Sequence, residues 1–301
     1  MPWPLPYLSE IKELNEAARS SAPGSFVQLS DGYTHYEIGG PAPLSTEEEN
    51  RAKIPVVLVH GFSVPYFIWD PTFEFLSASG FRVLRYDLFG RGYSDRPKVR
   101  YDIETFCRQL RELLDTLGFE RLNLIGLSLG GPISATFTTR YPERVQKLVL
   151  IDPAGAKSVI LVKAAIAEIA PGVGGLLPGP FRSGRRTKGF ESDFYDPVHF
   201  KAFAEKYMVQ MKYKGFTRAI LATIRHGMLG DFSNTYRQVG HQGTPVMLLW
   251  GCNDTTVPFT QSNIIRTAIP QVEFHAFQGC GHIPHYEKPQ EANPLLLEFL
   301  R

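Results

Sequence analysis

The spacing of apolar positions changes several times along this 301-residue chain. Over residues 8–19 they fall at Leu8, Ile11, Leu14 and Ala18, which predicts a helix closed by the Pro23-Gly24 break. Residues 26–29 and 33–38 flank Ser30-Asp31-Gly32 and predict a β-hairpin with an Asp-Gly turn. Residues 41–53 form a polar loop carrying Glu47, Glu48 and Glu49. From residue 54 the pattern becomes that of buried strands and amphipathic helices in alternation. Residues 55–59 are a continuous apolar run, as in a strand covered on both faces. Strands at 82–86, 122–127 and 145–151 follow, with helices at 103–117 and 129–141 between them. Asp102 stands as N-cap of the first of these helices and Gly118 as its C-terminal stop. This alternation predicts an α/β protein with a doubly wound, mostly parallel sheet.

The alternation then stops. Residues 153–240 offer no strong strand, a Gly/Pro-rich stretch at 170–179, and helical spacing at 198–212 and 216–228. Strands resume at 245–250 and 272–277, and a last helix is expected at 289–300. The chain therefore divides into an α/β core, 1–152 with 241–301, interrupted by a helical insertion at 153–240. Charge follows the same division. The insertion carries thirteen Lys/Arg against six Asp/Glu, although the whole chain has a net charge of only +2. The near-neutral total gives no reason to expect a nucleic-acid partner. The basic insertion leaves weak contact with a lipid surface open, and the N-terminal helix leaves a homodimer open.

Three cysteines without CxxC spacing, Cys107, Cys252 and Cys280, predict neither a disulfide framework nor a structural zinc site. Together with an N-terminus lacking a secretory pattern, they point to a cytoplasmic protein. The longest uncharged span, 122–139, contains Asn123, Ser128, Ser134 and a Gly-Gly-Pro break. It reads as a buried strand–turn–helix rather than a membrane span.

That span holds the sharpest chemical signal, Gly126-Leu127-Ser128-Leu129-Gly130, set directly between a strand and a helix. A turn so tight needs small neighbours, and it exposes the Ser128 hydroxyl at the carboxyl edge of the sheet. A hydroxyl needs a base to act as a nucleophile. His282, in Gly279-Cys280-Gly281-His282 after the last strand, is the preferred base, and His285 is the reserve. The base needs a carboxylate to fix its tautomer. Asp254, after the penultimate strand, fits the order Ser, Asp, His, and Asp152 is its rival. Gly61 allows a turn that aims the Phe62 N–H at the cleft, and the Leu129 N–H follows the nucleophile, so these two amides are the candidate oxyanion donors. His60 is read as a group that hydrogen-bonds this loop rather than as a proton shuttle. Tyr66, Trp69, Leu176, Leu177 and Phe181 are candidates for an apolar substrate pocket.

His60-Gly61-Phe62, the run Asp87-Leu88-Phe89-Gly90-Arg91-Gly92-Tyr93-Ser94, Gly126 to Gly130, Asp254 and Gly281-His282 together resemble the α/β-hydrolase superfamily. The resemblance covers 1–152 and 241–301. It implies that 153–240 is a lid and that residues 87–94 shape the cleft floor. The subgroup it resembles contains meta-cleavage-product C–C hydrolases, carboxylesterases and monoacylglycerol lipases. Ser128 stands where epoxide hydrolases and haloalkane dehalogenases have a carboxylate. C–C hydrolases of aromatic degradation usually carry a tryptophan after the catalytic histidine, whereas this chain has Ile283. The resemblance thus implies a serine hydrolase of small-molecule esters with small or medium-chain acyl groups, working without a metal or organic cofactor. C–C hydrolysis and a non-catalytic small-molecule receptor on the same fold are the alternatives.

Overall fold

In β3 (Val56–Val59) all four residues are apolar and fully buried. A strand of this kind has to be covered on both faces, and β3 lies inside an eight-stranded sheet. The computed structural model describes residues 10–42, 54–158, 193–196, 198 and 200–301. From edge to edge the sheet runs β1 (Ser25–Leu29), β2 (Gly32–Gly39), β4 (Val83–Tyr86), β3, β5 (Leu122–Leu127), β6 (Val145–Ile151), β7 (Val246–Gly251) and β8 (Glu273–Phe277). β2 pairs antiparallel with β1 and with β4, and every other pairing is parallel. β4 lies on one side of β3 and β5 on the other, so the winding reverses there. Open α/β sheets take their ligands at such a reversal, beyond the carboxyl ends of the strands.

Side chains alternate across the sheet with the two-residue period of a strand. Val57, Val59, Leu148, Leu150, Leu248 and Trp250 join the core on one face. Their neighbours Val56, Leu58, Val149, Ile151, Met247 and Leu249 join the core on the other. Helices α2 (Asp70–Ala78), α3 (Ile103–Leu117) and α4 (Gly130–Arg140) supply part of the covering. In α3 the buried Phe106, Leu110, Leu113 and Leu114 lie on one face. Its ends are set by the Asp102 carboxylate, which accepts from the Thr105 N–H at 3.1 Å, and by Gly118 in the left-handed region.

The helix expected over 8–19 is corrected by the structure. Only α1 (Glu16–Ser20) is helical among residues 10–20, with Asn15 as its cap. The preceding residues are extended because they find partners in the insertion. The Lys12 N–H donates to Lys212 O and the Lys214 N–H to Lys12 O, at 2.8 and 2.9 Å. The Glu10 carboxylate accepts from the Gly215 and Thr217 amides, each at 2.7 Å. Those amides open the helix 216–225, so Glu10 sits where a helix dipole favours an anion.

Two helices in the second part of the insertion fall close to expectation, α5 (Phe200–Gln210) and α6 (Phe216–Arg225). A third, α7 (Ser233–Gln242), packs on α4, with Tyr236 and Val239 in the core. The expected boundary at 240/241 thus falls inside a helix. Its polar composition, with only those two buried residues, gave a weak periodic signal. α8 (Ser262–Ala268) was likewise not anticipated, and α9 (Pro289–Leu300) closes the chain where expected. Cys107, Cys252 and Cys280 are free thiols. No helix among the described residues is long and apolar enough to cross a membrane.

The run from Asp87 to Ser94 is organised by one buried carboxylate. Asp87 accepts from His35 Nδ1 at 2.7 Å, from the Tyr66 N–H at 2.8 Å and from the Tyr93 N–H at 2.9 Å. Burial opposes its ionisation, but the hydrogen bonds from His35 and from the Tyr66 amide hold it below the ordinary carboxylate value. Such a group stabilises the fold fully above the unfolded value, and the contribution is lost as pH falls through the lower, folded value. Replacing Asp87 by alanine strands a buried imidazole and two amides and is expected to cost about 3–5 kcal/mol in urea unfolding at pH 7. A loss below about 1 kcal/mol would show that this carboxylate does not organise the loop.

Candidate active site

The turn after β5 forces two close approaches. A Cβ on Gly126 would meet the Gly130 carbonyl and, at 2.6 Å, Ser134 Oγ. One on Gly130 would strike the Val59 carbonyl and lie 2.8 Å from the His60 carbonyl. Between these glycines Ser128 has φ +52°, a left-handed conformation costing a non-glycine residue roughly 1–3 kcal/mol. The strain is held by a Ser128 N–H···O Ile151 bond of 2.9 Å and by bonds from the Gly131 and Ala154 amides to the Ser128 carbonyl. The Ser128 hydroxyl has no hydrogen-bond partner among the described residues, and the residue retains 8% of its exposure.

His282 and Asp254 are brought into contact. His282 Nδ1 donates to Asp254 Oδ2 at 2.7 Å, and both residues are buried. The other Asp254 oxygen accepts from the Thr256 and Val257 amides at 2.8 and 2.9 Å, which fixes the carboxylate plane. Burial alone would lower the pKa of His282. The Asp254 charge and hydrogen bond, with Asp193 behind them, outweigh burial and raise it above the ordinary 6.5.

Asp152, the rival carboxylate, lies in the same cluster. One donor atom each from Asp152, Asp254 and His282 falls within 4.8 Å of the others. Asp152 takes φ +41°, and Oδ1 accepts from the Gly251 N–H at 3.0 Å. Its Oδ2 is buried with no partner among the described residues. Burial, and then the neighbouring Asp254 charge, push its pKa well above the ordinary carboxylate value. As a metal site the trio is poor, because ligand atoms must be deprotonated and His282 Nδ1 keeps its proton in the hydrogen bond to Asp254.

The candidate oxyanion loop follows β3. A Cβ on Gly61 would lie 3.2 Å from Ser128 Cβ, so this loop runs directly past the serine. His60 controls its orientation. The Leu88 N–H donates to His60 Nε2 at 2.9 Å, so the proton is on Nδ1, which donates to Gly61 O at 2.9 Å. Burial pushes His60 down to about 4, and the ring is neutral. A trans peptide is planar, so fixing the Gly61 carbonyl points the Phe62 N–H the opposite way. Neither the Phe62 nor the Leu129 N–H has a partner among the described residues. Phe62 is half-buried, and Leu129 is fully buried at the N-terminal end of α4.

The reserve base and the candidate pocket residues have other places. His285 packs against Trp69 with ring centroids 4.4 Å apart and the planes tilted by 41°, and burial pushes it down to about 3. Trp69 is fully buried in the core. Tyr66 lines a cavity of about 360 Å³ with Phe67, Tyr93 and Gln210, and Ser128, Asp254 and His282 are not among its lining residues. Leu176, Leu177 and Phe181 lie outside the described residues.

Two further groups hold the His282 loop. The Asp193 carbonyl accepts from the His282 N–H at 2.8 Å, and its carboxylate accepts from the Thr256 hydroxyl. Glu287 accepts from the Tyr195 and Asp196 amides at 2.8 and 2.6 Å and from the Gly281 N–H at 2.7 Å. The signal for Glu287 was an acidic residue directly after Ile283-Pro284-His285-Tyr286, a stretch without Asp, Glu, Lys or Arg.

A family model for the alpha/beta hydrolase fold matches residues 54–289. The chain belongs to this family. It is 27% identical over 304 residues to the 2-hydroxy-6-oxononadienedioate/2-hydroxy-6-oxononatrienedioate hydrolase of Cupriavidus pinatubonensis, covering 97% of this chain and 99% of that protein. Among solved structures, the meta-cleavage product hydrolase from Pseudomonas fluorescens IP01 superposes with a TM-score of 0.73 at 23% identity, over 92% of this chain and 97% of that one. An esterase from Exiguobacterium antarcticum superposes with a TM-score of 0.75 at 19% identity, over 92% and 99%.

Replacing Asp254 by asparagine removes the charge that lifts His282 and leaves the burial that lowers it. The His282 titration followed by NMR is expected to move from above 6.5 to below it. An unchanged midpoint would show that Asp254 does not govern this imidazole.

Proposed function

We propose that the protein is a serine hydrolase of small-molecule carboxylic esters with small or medium-chain acyl groups. The observation that carries this reading is the strained Ser128 turn, flanked by two unengaged amides, at the sheet edge where His282 is hydrogen-bonded to Asp254. In this mechanism Ser128 Oγ attacks the acyl carbon while His282 Nε2 accepts the hydroxyl proton. The Ser128–His282 hydrogen bond needed for that transfer forms when substrate fills the cleft, since catalytic hydrogen bonds of such sites are often completed only in the substrate complex. Asp254 holds the tautomer with the proton on Nδ1 and stabilises the imidazolium. The Phe62 and Leu129 N–H groups bind the oxyanion, a donor of this kind being worth about 3 kcal/mol of barrier. His282 then protonates the leaving alcohol, and water enters by the same base to release the acid. No metal or organic cofactor takes part. Residues 153–240 act as the lid.

The similarity to hydrolases of dienedioate substrates along nearly the whole chain supports a second reading, C–C bond hydrolysis of a vinylogous diketone acid. Ile283 after the histidine favours the ester. The two are separated by assaying p-nitrophenyl esters of rising chain length beside a 2-hydroxy-6-oxo-dienoate. Ester turnover is expected to dominate, and consumption of the dienoate without ester turnover would reverse the order.

The Ser128→Ala variant is expected to lose roughly 10⁴–10⁶-fold in kcat and all labelling by a fluorophosphonate. Near wild-type turnover would place the nucleophile elsewhere. Because free His282 must be neutral to act, and its pKa is raised, the acid limb of kcat/KM is expected above pH 6.5. A limb at lower pH would assign the base to another group.

A further inference from the structure

Three consecutive carbonyls of the candidate oxyanion loop are each held by a buried side chain. His60 Nδ1 donates to Gly61 O at 2.9 Å, Arg91 Nε to Phe62 O at 2.8 Å and Gln210 Nε2 to Ser63 O at 2.8 Å. His60 and Arg91 belong to the core. Gln210 ends helix α5 of the insertion. Its second amide atom is also used, because Oε1 accepts from the Gly92 N–H at 2.9 Å. Gln210 therefore ties the insertion to the oxyanion loop and to the cleft floor at once.

Arg91 makes a second tie. Its guanidinium is fully buried and has no carboxylate partner among the described residues. Nη1 donates to Phe89 O at 3.0 Å and Nη2 to Thr223 Oγ1 at 2.9 Å. Thr223 lies on helix α6 of the insertion, is fully buried, and donates its own proton to Ala219 O at 2.9 Å. Its lone pair is thus aimed at Arg91. A buried cation whose hydrogen bonds among the described residues all go to neutral oxygens is sensitive to the loss of any one of them.

We propose that Gln210 and Thr223 are positioning residues for the oxyanion-binding loop, acting on it through the Ser63 carbonyl and through Arg91. The proposal rests on the hydrolase reading above, in which the Phe62 N–H binds the oxyanion. The Phe62 N–H lies in the peptide plane held through Gly61 O, and holding the next two planes through Phe62 O and Ser63 O restricts the soft dihedrals at Phe62 and Ser63 that join that plane to the rest of the loop. The insertion then does more than cover the cleft, because its placement sets the aim of a donor. Substrate contacts that seat the insertion are converted into a lower barrier rather than tighter ground-state binding.

The test compares Thr223→Val, Thr223→Ser and Gln210→Met in the full-length protein, with p-nitrophenyl butyrate as substrate. Valine keeps the shape of threonine and removes the acceptor, whereas serine restores it. Methionine keeps the length of glutamine and removes both hydrogen bonds. Thr223→Val and Gln210→Met are expected to lower kcat about 10- to 100-fold, as small misplacements of a catalytic group do. KM should stay within about twofold, and Thr223→Ser should stay near wild type. Affinity for a trifluoromethyl ketone, which forms a tetrahedral adduct on serine, should fall in parallel with kcat. Folded variants that keep kcat, or that change only KM, overturn the proposal while leaving the hydrolase reading intact. Wild-type protein that neither turns over the ester nor labels with a fluorophosphonate overturns both. If Thr223→Val does not fold, Gln210→Met reads the same loop from its other side.

Discussion

The site depends on one backbone constraint, the left-handed conformation at Ser128. It is possible because the turn is squeezed between β3 and α4 so closely that positions 126 and 130 admit no side chain. The same squeeze aligns the end of β3 with the start of α4, so the loop leaving β3 passes within van der Waals reach of the serine. Strain at one residue, the approach of a second loop and the direction of two amide groups are therefore a single geometric fact. Asp152 at the end of the neighbouring strand shares the conformational type, which makes the carboxyl edge of β5 and β6 the most strained part of the described backbone.

Much of this was legible from residue order. The buried parallel strands announced themselves as apolar runs, and Asp102 and Gly118 marked the limits of α3 as their capping chemistry requires. The turn at Ser128 could be read because glycine spacing reports directly on close backbone approach. The segment at 10–15 could not, because its apolar residues have helical spacing while its partners lie about two hundred residues away in sequence. Long-range partners also decided the fate of the aromatic candidates. Trp69 was composed like a pocket residue, but its neighbour turned out to be His285, and the two fill each other's space.

The division of labour among acidic groups was the least predictable feature. Asp152 and Asp254 looked alike in sequence, each following a strand at the same sheet edge. Two backbone amides and an imidazole favour the charge on Asp254, whereas Asp152 has one amide and an unpartnered oxygen. Hydrogen-bond donors favour a carboxylate's charge, and burial without them raises its pKa, as it does for Asp152. Counting donors requires coordinates, so sequence order alone left the choice open.

The attachment of residues 10–14 bears on how the protein is handled in the laboratory. Lys12 pairs with Tyr213, Glu10 holds the first amides of α6, and Lys214 forms an ion pair with Glu13. Residues 10–13 are therefore leashed to α6, the helix that carries Thr223, and to the turn just before it. A purification handle or an immobilising surface at that end would pull on the insertion, whereas the exposed Arg301 offers an anchor beside the core.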